Sequence, residues 1–180
     1  MIALIAFATC QGSTQGMAER IGRRIQASGI DAEVRPVSEV TDLGRYDAVV
    51  LGSAIHNMAW LPEASRFAQR NAAALRQRPT WLFSVSSVGD QESFMPPRVA
   101  RVLRAMKKET PELTALRSAI DPREHRNFAG AIARTDWSAA GSAFLRIMGG
   151  RYGDHRNWPA IDDWAAGIAA DLAAVPTRTA

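Results

Sequence analysis

The sequence predicts one α/β domain, in which five parallel strands form a doubly wound sheet with helices on both faces. Short, mostly apolar runs such as Ile2–Phe7 and Trp81–Val85 alternate with longer segments of helical periodicity. Runs that stay apolar without alternating are typical of strands buried on both faces, as in parallel sheets. Small or polar residues follow several of these runs, and the 180 residues suffice for one domain.

The first half of the chain is predicted to hold three strands and two helices. The strands are expected at Ile2–Phe7, Ala32–Val37 and Tyr46–Leu51, and the helices at about Thr14–Ser28 and Leu61–Gln77. In the first helix, Met17, Ile21 and Ile25 recur every four residues and Gly29 provides a stop. Pro62 lies in the first turn of the second helix, where its missing N–H costs nothing.

The second half is predicted to hold two strands and three helices. The strands are expected at Trp81–Val85 and Phe128–Ile132, and the helices at Pro96–Lys108, Ser138–Met148 and, capped by Asn157, from Ala160 to Ala174. Apolar residues recur at helical spacing in the first of these helices, Ser138 and Asn157 are suitable N-caps, and Gly149-Gly150 can end the middle helix. We take residues 1–175 as the domain and 176–180 as a frayed tail.

Composition limits the classes of function. A single cysteine excludes an internal disulfide and fits a reducing compartment, and no apolar run is long enough to span a membrane. We therefore expect a cytoplasmic protein with, at most, peripheral membrane contact through the Ser138–Met148 segment. The formal charge of +4 favours anionic partners slightly, but no zinc spacing, RNA-binding signature or dense basic arm predicts nucleic acid.

The loop between the first strand and the first helix is the most informative segment. It consists of Thr9, Cys10, Gln11, Gly12, Ser13 and Thr14. Hydroxyls, a glycine and the free amides of a helix N-terminus together suit a phosphate group. The loop has neither the lysine of a nucleotide-triphosphate loop nor a G-x-G-x-x-G pattern, which favours a terminal phosphomonoester. The alternative is a plain strand-to-helix turn with a Ser/Thr cap.

Two further loops are predicted to converge on the first, because ligands of open α/β sheets bind beyond the carboxyl ends of the strands. One follows the third strand and contains Ser53, Ala54, Ile55, His56 and Asn57, with Met58 and Trp60 close behind. The other follows the fourth strand and contains Ser86, Ser87, Val88, Gly89 and Asp90. The three loops together predict a binding site at one edge of the sheet.

These segments resemble the flavodoxin-domain family. Its phosphate signature is similar to Ala8-Thr-Cys-Gln-Gly-Ser-Thr14. The chain resembles one branch of this family more closely, the branch that contains the bacterial flavodoxin-like protoporphyrinogen IX dehydrogenase. This closer resemblance lies in Leu51–His56, Trp60–Pro62, Phe128–Ala131, Ile147–Gly150 and Trp158–Trp164. The resemblance implies a strand order of 2-1-3-4-5 and FMN as cofactor.

The resemblance also implies roles for the three loops. Thr9, Gln11, Ser13 and Thr14 would bind the FMN phosphate, while residues 53–57 and 86–90 would flank the ribityl chain and the isoalloxazine. We count all sixteen residues from the three loops as predicted cofactor-binding residues and assign no catalytic acid, base or metal ligand.

Several side chains leave alternatives open. His56 either donates a hydrogen bond to the flavin or faces water, whereas His125 and His155 are expected at the surface. Cys10 is expected to be a small, unreactive filler. Residues 91–127 carry eight bases against five acids, which form either a solvated helix face or a rim for an anionic substrate.

Three functions remain. The first is an FMN-dependent oxidoreductase similar to the protoporphyrinogen dehydrogenases, in which a reduced substrate gives a hydride to flavin N5 and electrons pass on to a quinone or other acceptor. The second is an electron carrier that serves redox proteins and has no substrate of its own. The third is an interaction module that has lost FMN.

Overall fold

The computed structural model describes residues 1–106, 110–133, 143, 146–147 and 149–174. Its strands are β1 (Ile2–Ala8), β2 (Asp31–Pro36), β3 (Ala48–His56), β4 (Ala59–Trp60), β5 (Thr80–Ser86), β6 (Glu124–Ala129), β7 (Ala131–Ile132) and β8 (Gly153–Asp154). Five of them form a parallel sheet in the order β2-β1-β3-β5-β6. This confirms the predicted sheet and its 2-1-3-4-5 order, counted over the parallel strands alone.

Helices cover both faces of the sheet. They are α1 (Ser13–Ala27), α2 (Pro62–Arg70), α3 (Ala72–Arg76), α4 (Pro97–Met106), α5 (Pro111–Ile120) and α6 (Trp158–Ala173), and a 3₁₀ turn spans Val37–Glu39. Alternate residues of β1 enter two separate cores. Ile5 packs with residues of α1 and α6 on one face, and Leu4 packs with residues of α2, α3 and α5 on the other. The unbroken apolar run of β1 follows from this burial on both faces.

The predicted helix Leu61–Gln77 is wrong as a single element. It is divided into α2 and α3 at Asn71, whose side-chain Nδ2 donates a hydrogen bond to the carbonyl oxygen of Phe67 at 2.9 Å. Asn competes in this way with the backbone's own hydrogen bonds and is therefore favoured where a helix is interrupted.

The last predicted strand, Phe128–Ile132, is also wrong in its bounds. The sheet strand β6 begins earlier, at Glu124, and a separate short strand, β7, follows and pairs with β8. Because β6 lies at the edge of the sheet, its first residues are polar and gave no apolar signal. No helix is predicted where α5 lies, although Thr110 caps it by accepting a hydrogen bond from the N–H of Leu113.

Three of the predicted segments lie wholly or partly outside the residues that the structure describes. Most of the Ser138–Met148 helix, the end of the Pro96–Lys108 helix and the tail 176–180 lie outside the described residues. Within the described residues, no helix combines the length and the apolarity needed to cross a bilayer.

Candidate functional site

A cavity of about 590 Å³ lies where β1, β3 and β5 end. Its volume falls within the roughly 300–1,000 Å³ typical of small-molecule sites. From the three predicted loops it is lined by Thr9, Cys10, Gln11, Ser13, Thr14, Ala54, Ile55, His56, Asn57, Ser86 and Ser87. The described residues that line it include no Lys, Arg, Asp or Glu. The three loops do converge, on a cavity whose walls carry no fixed charge.

The loop at residues 9–14, between β1 and α1, is shaped by Gly12. This residue has a φ of +80° and nothing within 4 Å of the position a Cβ would take. Its N–H donates to Thr9 Oγ1 at 3.0 Å, and its carbonyl oxygen accepts from the N–H of Gly16 at 3.0 Å to close the first turn of α1. The N–H groups at the start of a helix lack intrahelical partners, and the helix dipole makes this end positive. In α1, described over its whole length, the first turn has no acidic side chain, so the loop suits an anion.

Thr14 provides the strongest sign of a missing ligand atom. Its side chain is fully buried, and its Oγ1 has no hydrogen-bond partner among the described residues. A buried hydroxyl without a partner costs about 1–3 kcal/mol. Ser13, its neighbour, accepts a hydrogen bond at Oγ from the N–H of Ala131 at 2.8 Å and keeps its own hydroxyl hydrogen to donate. The Ser13 hydroxyl therefore has a hydrogen to donate beside the free amides of α1, and Thr14 adds a buried hydroxyl that has no partner among the described residues.

The third-strand loop is a β-hairpin. Ile55 pairs with Trp60 and His56 with Ala59, so only Asn57 and Met58 form the turn, with φ values of 49° and 65°. Positive φ at both central residues is the requirement of a type I′ hairpin turn. The hairpin places His56 in the cavity lining, exposed to solvent, and leaves Met58 67% exposed at the tip.

Trp60 and Ser53 of this hairpin do not line the cavity. The Trp60 indole is 4% exposed and donates its Nε1–H to Ser84 Oγ at 2.7 Å. Ser53 is fully buried, and its Oγ accepts from the N–H of Leu61 at 3.0 Å. Both side chains hold the hairpin against the sheet.

His125 and His155, which are expected at the surface, are partly exposed and do not line the cavity. His125 is half-buried, with Nε2 2.8 Å from Ser84 Oγ and its ring edge-on to Trp60. His155 is half-buried and packs on Phe94, the ring centroids being 5.1 Å apart. Nothing in the local sequence indicates these contacts, because Ser84, Trp60 and Phe94 are all distant along the chain from the histidines that they contact.

The fourth-strand loop is divided between two roles. Ser86 and Ser87 line the cavity, but Val88, Gly89 and Asp90 turn back along β6. Asp90 exchanges hydrogen bonds with the backbone of Asn127 at 2.8 and 2.9 Å. A Cβ on Gly89 would stand 2.4 Å from the nitrogen of Ala129. Val88 is buried in a small core with Phe94 and Met95. These three residues and Gly12 contribute shape and support to the site and do not contribute to its lining.

The lining also includes residues that sequence reasoning did not assign to the site: Val85, Phe94, Gly130, Ala131 and Ile132. The last three follow β6, in a segment that the resemblance had already singled out at Phe128–Ala131. Phe94 is the one Phe, Tyr or Trp among the described lining residues and is 7% exposed. It lies after the predicted loop, and nothing in the local sequence indicates that the chain returns to the cavity there.

The groups with shifted pKa values lie away from the cavity. Asp162 of α6 accepts two hydrogen bonds from the Arg20 guanidinium of α1, at 2.6 and 2.7 Å. This pairing lowers the pKa of Asp162 and raises the pKa of Arg20. Hydrogen bonding to Arg156 likewise lowers the pKa of Asp154. The Arg20–Asp162 pair joins α1 to α6, whereas the Asp154–Arg156 pair is local, and neither pair lines the cavity.

The basic residues of the 91–127 stretch are partly committed to structure. Arg104 donates to the carbonyl oxygens of Gly89 and Gln91 at 2.7 and 2.6 Å. Arg126 pairs with Glu124 at 2.6 Å, and Arg123 pairs with Asp171 at 3.7 Å and lies over the Trp81 ring. Arg98 and Arg101 remain exposed on α4, so a substrate rim, if formed here, would use that helix.

The family of the chain follows from a comparison of its sequence with models of known protein families. Residues 4–142 match the model of the flavodoxin domain family. The chain belongs to this family. Among curated proteins, none matches the sequence.

Solved flavodoxins share the fold of this flavodoxin domain. An archaeal flavodoxin aligns with a TM-score of 0.56 at 18% identity, over 96% of this chain and 99% of that chain. Oxidised flavodoxin 2 from Bacillus cereus aligns with a TM-score of 0.57 at 14% identity, over 95% and 99%. The rubredoxin:oxygen oxidoreductase of Desulfovibrio gigas aligns with a TM-score of 0.60 at 14% identity, over 96% of this chain but 36% of that larger one.

FMN is the cofactor of flavodoxin domains, and the residues present fit it. The unpartnered Thr14 hydroxyl, the free amides of α1 and the absence of carboxylates from the described lining suit a phosphate dianion. The other described walls of the cavity, which include the hairpin and Phe94, are neutral.

Proposed function

We propose that this flavodoxin domain is an FMN-dependent oxidoreductase that oxidises a small anionic substrate, with protoporphyrinogen IX as the substrate to test first. The unpartnered, fully buried Thr14 Oγ1 at the positive end of α1 supports the cofactor assignment. When bound, FMN supplies two-electron and one-electron redox chemistry. The protein's own residues supply binding, orientation and shelter from solvent.

Each part of the cavity has a defined task in this proposal. The amides at the start of α1, with the Ser13 and Thr14 hydroxyls, hold the phosphate. The backbone and side chains at residues 54–57 and 86–87 line the remainder, and Phe94 closes one wall. His56, exposed in the lining, provides the one imidazole among the described lining residues and offers a hydrogen bond toward the ring system.

Charge favours an enzyme over a carrier. The chain has a net charge of +4, and no described lining residue is acidic. Long-range attraction steers anionic molecules toward such a protein and repels basic protein partners. A substrate that carries carboxylates suits these conditions. The carrier remains the second candidate because Met58 is exposed at the hairpin tip beside the cavity, where an apolar contact with a redox protein would form.

The cofactor assignment is tested by comparing FMN with riboflavin, which lacks the phosphate. Titration of each into the apoprotein, followed by quenching of flavin fluorescence, gives the two dissociation constants. Several charge-assisted hydrogen bonds of about 1.5–3 kcal/mol each should make FMN bind at least a hundredfold more tightly. Equal affinity for the two ligands would show that the loop does not hold the phosphate.

The enzyme assignment is tested anaerobically. The FMN-loaded protein is mixed with protoporphyrinogen IX, and the visible absorbance of the flavin is followed. Bleaching is the expected result. An FMN-loaded protein that keeps its absorbance with the porphyrinogen but is reduced by a flavodoxin reductase would be a carrier.

A further inference from the structure

We propose that a second cavity, next to the FMN cavity, binds the carboxylate-bearing part of the substrate, and that the Arg104 guanidinium is its counter-charge. This inference rests on the proposed oxidoreductase function and adds the residue that recognises the substrate. The ligand class is an apolar molecule that carries a carboxylate.

The second cavity has a volume of about 490 Å³ and shares Phe94 with the first. The N–H of Phe94 donates to the carbonyl oxygen of Ser87 at 3.0 Å, and its carbonyl oxygen accepts from the N–H of Arg151 at 2.9 Å. Ser87 lines the FMN cavity, and Arg151 lines the second cavity. A ligand in the second cavity therefore lies beside a fixed residue that also belongs to the wall of the cofactor cavity.

Arg104 of α4 is held at the wall of the second cavity. Its Nε donates to the carbonyl oxygen of Gly89 at 2.7 Å, and its Nη2 donates to those of Gln91 and Glu92 at 2.6 and 3.2 Å. Gln91 and Glu92 line the cavity, as does Arg104 itself. These bonds fix the plane of the guanidinium and leave Nη1 without a partner among the described residues. Because the three partners are neutral carbonyl groups, they do not compensate the positive charge.

The other charged residues of the described lining leave this cation available. Glu92 is the one carboxylate among them, and its side chain is exposed, with Oε1 3.4 Å from Nδ2 of Asn157. Arg151 adds a second guanidinium on an exposed residue. A guanidinium matches the geometry of a carboxylate, and hydrogen bonds between the two are about twice as strong as neutral ones. The charges of the cavity therefore suit a carboxylate.

Apolar residues provide most of the remaining wall. They are Phe94, Met95, Pro96, Pro97 and Ala100. The His155 ring packs on Phe94, and its Nε2 donates to the carbonyl oxygen of Arg151 at 3.0 Å, which holds the ring in place. Small-molecule sites typically combine apolar walls with a few polar groups that fix orientation. An apolar molecule with a carboxylate uses both parts of the cavity.

The probe is protoporphyrin IX, an apolar ring system with carboxylates, and its dimethyl ester is the uncharged counterpart. Dissociation constants for the FMN-loaded protein are measured by porphyrin fluorescence. Arg104→Gln should bind protoporphyrin IX at least tenfold more weakly, because a hydrogen bond between charged groups is lost. The variant should bind the ester as the native protein does. This difference between the two ligands would assign the loss to the carboxylate.

Two further variants separate a local contact from general effects. Arg101→Gln is the matched control, because it removes the same charge from an exposed residue of α4 that does not line the cavity. Its affinity for protoporphyrin IX should stay close to the native value. Arg104→Lys keeps the charge without the planar fork, so its affinity should lie between those of the native protein and Arg104→Gln. If Arg104→Gln does not fold, as judged by far-ultraviolet circular dichroism, Arg104→Lys should still weaken binding of the acid and not of the ester.

The outcomes separate this inference from the proposed function. Equal losses in Arg101→Gln and Arg104→Gln, or equal losses for acid and ester, would overturn the site, because net charge or a displaced loop would then explain them. Equal affinity of the native protein for acid and ester would overturn it as well. The oxidoreductase would still stand if protoporphyrinogen IX bleaches the flavin. Binding that depends on Arg104 without any bleaching would support the carboxylate site and overturn the oxidoreductase.

Discussion

Ser13 Oγ accepts a hydrogen bond from the backbone N–H of Ala131 at 2.8 Å, which joins positions 118 residues apart. The contact connects the start of α1 to the segment that leaves β6. Gly130 makes this approach possible, because a Cβ there would lie 2.9 Å from Ser13 Oγ and 3.0 Å from Val85 Cγ1. The end of the cavity at the start of α1 is therefore shaped by two segments that are distant along the chain, the loop at residues 9–14 and the segment that follows β6.

Gly130→Ala should weaken FMN binding by about tenfold or more. The added methyl displaces Ser13, and loss of one well-placed hydrogen bond to a charged group costs about 1.5–3 kcal/mol. Fluorescence titration with FMN measures the effect. Gly167→Ala is the matched control, since a Cβ on that α6 glycine meets nothing within 4 Å. It should leave FMN affinity unchanged and raise stability by about 0.5–1 kcal/mol. Unaltered FMN affinity in Gly130→Ala would show that Ser13 is not a phosphate ligand.

Thr14→Val should change stability and affinity in opposite directions. Valine has nearly the shape of threonine but lacks the unpartnered Oγ1, so the apoprotein should be as stable as the native chain or more stable, by up to about 1–3 kcal/mol. FMN affinity should fall at least tenfold. Urea unfolding of the apoprotein and flavin titration measure the two effects.

Thr80→Val tests whether this reversal is specific to the site. Thr80 is equally buried, but its Oγ1 donates to the carbonyl oxygen of Leu75 at 2.9 Å, away from the cavity. This variant should lose stability and keep its FMN affinity. A Thr14→Val protein that behaves like Thr80→Val would contradict the assignment of Thr14 to the phosphate.

The difference between what the sequence predicts and what it misses follows from distance along the chain. The loop Thr9–Thr14 can be singled out as a candidate phosphate site because its glycine, hydroxyls and helix start are contiguous, and β1 is predicted correctly because burial on both faces gives an unbroken apolar run. Phe94 and Ala131 were missed, because they reach the cavity through tertiary packing. The contact of His125 with Ser84 is not predicted for the same reason, since the two residues lie on neighbouring strands, 41 residues apart. An edge strand such as β6 gives only a partial signal because four of its six residues are polar.

Met58→Gly should stabilise the hairpin beside the cavity. Met58 has a φ of 65°, a left-handed conformation that costs a residue with a side chain about 1–2 kcal/mol. Asn-Gly is the preferred pair for a type I′ turn, and Asn57 already occupies the first position. Because Met58 is 67% exposed, little packing is lost. The free energy of unfolding, from urea denaturation, should rise by about 1 kcal/mol. A drop in stability would show that the Met58 side chain makes contacts that outweigh the strain.

The Arg20–Asp162 ion pair should make the stability of the protein depend on pH in the acidic range. The arginine lowers the pKa of Asp162 in the folded protein, below the ordinary value of 3.8. Such a carboxyl contributes stability above its unfolded pKa, and this contribution is lost as the pH falls through the folded pKa. Asp162→Asn should therefore lower Tm at pH 7, by no more than about 4 °C for an exposed pair in a domain of this size. The difference from the native chain should shrink as the pH falls below about 4.

Two further substitutions, Asp163→Asn and Arg20→Gln, test whether the pH dependence comes from the Arg20–Asp162 ion pair. Asp163→Asn removes an exposed carboxylate that makes no ion pair among the described residues, so its Tm should differ from the native value by less than that of Asp162→Asn. Arg20→Gln should reproduce the Asp162→Asn profile, and the double variant should add little further loss, because both substitutions remove the same contact. Additive losses in the double variant, or a Tm difference that persists undiminished at pH 3, would mean that the two side chains stabilise α1 and α6 independently of their pairing.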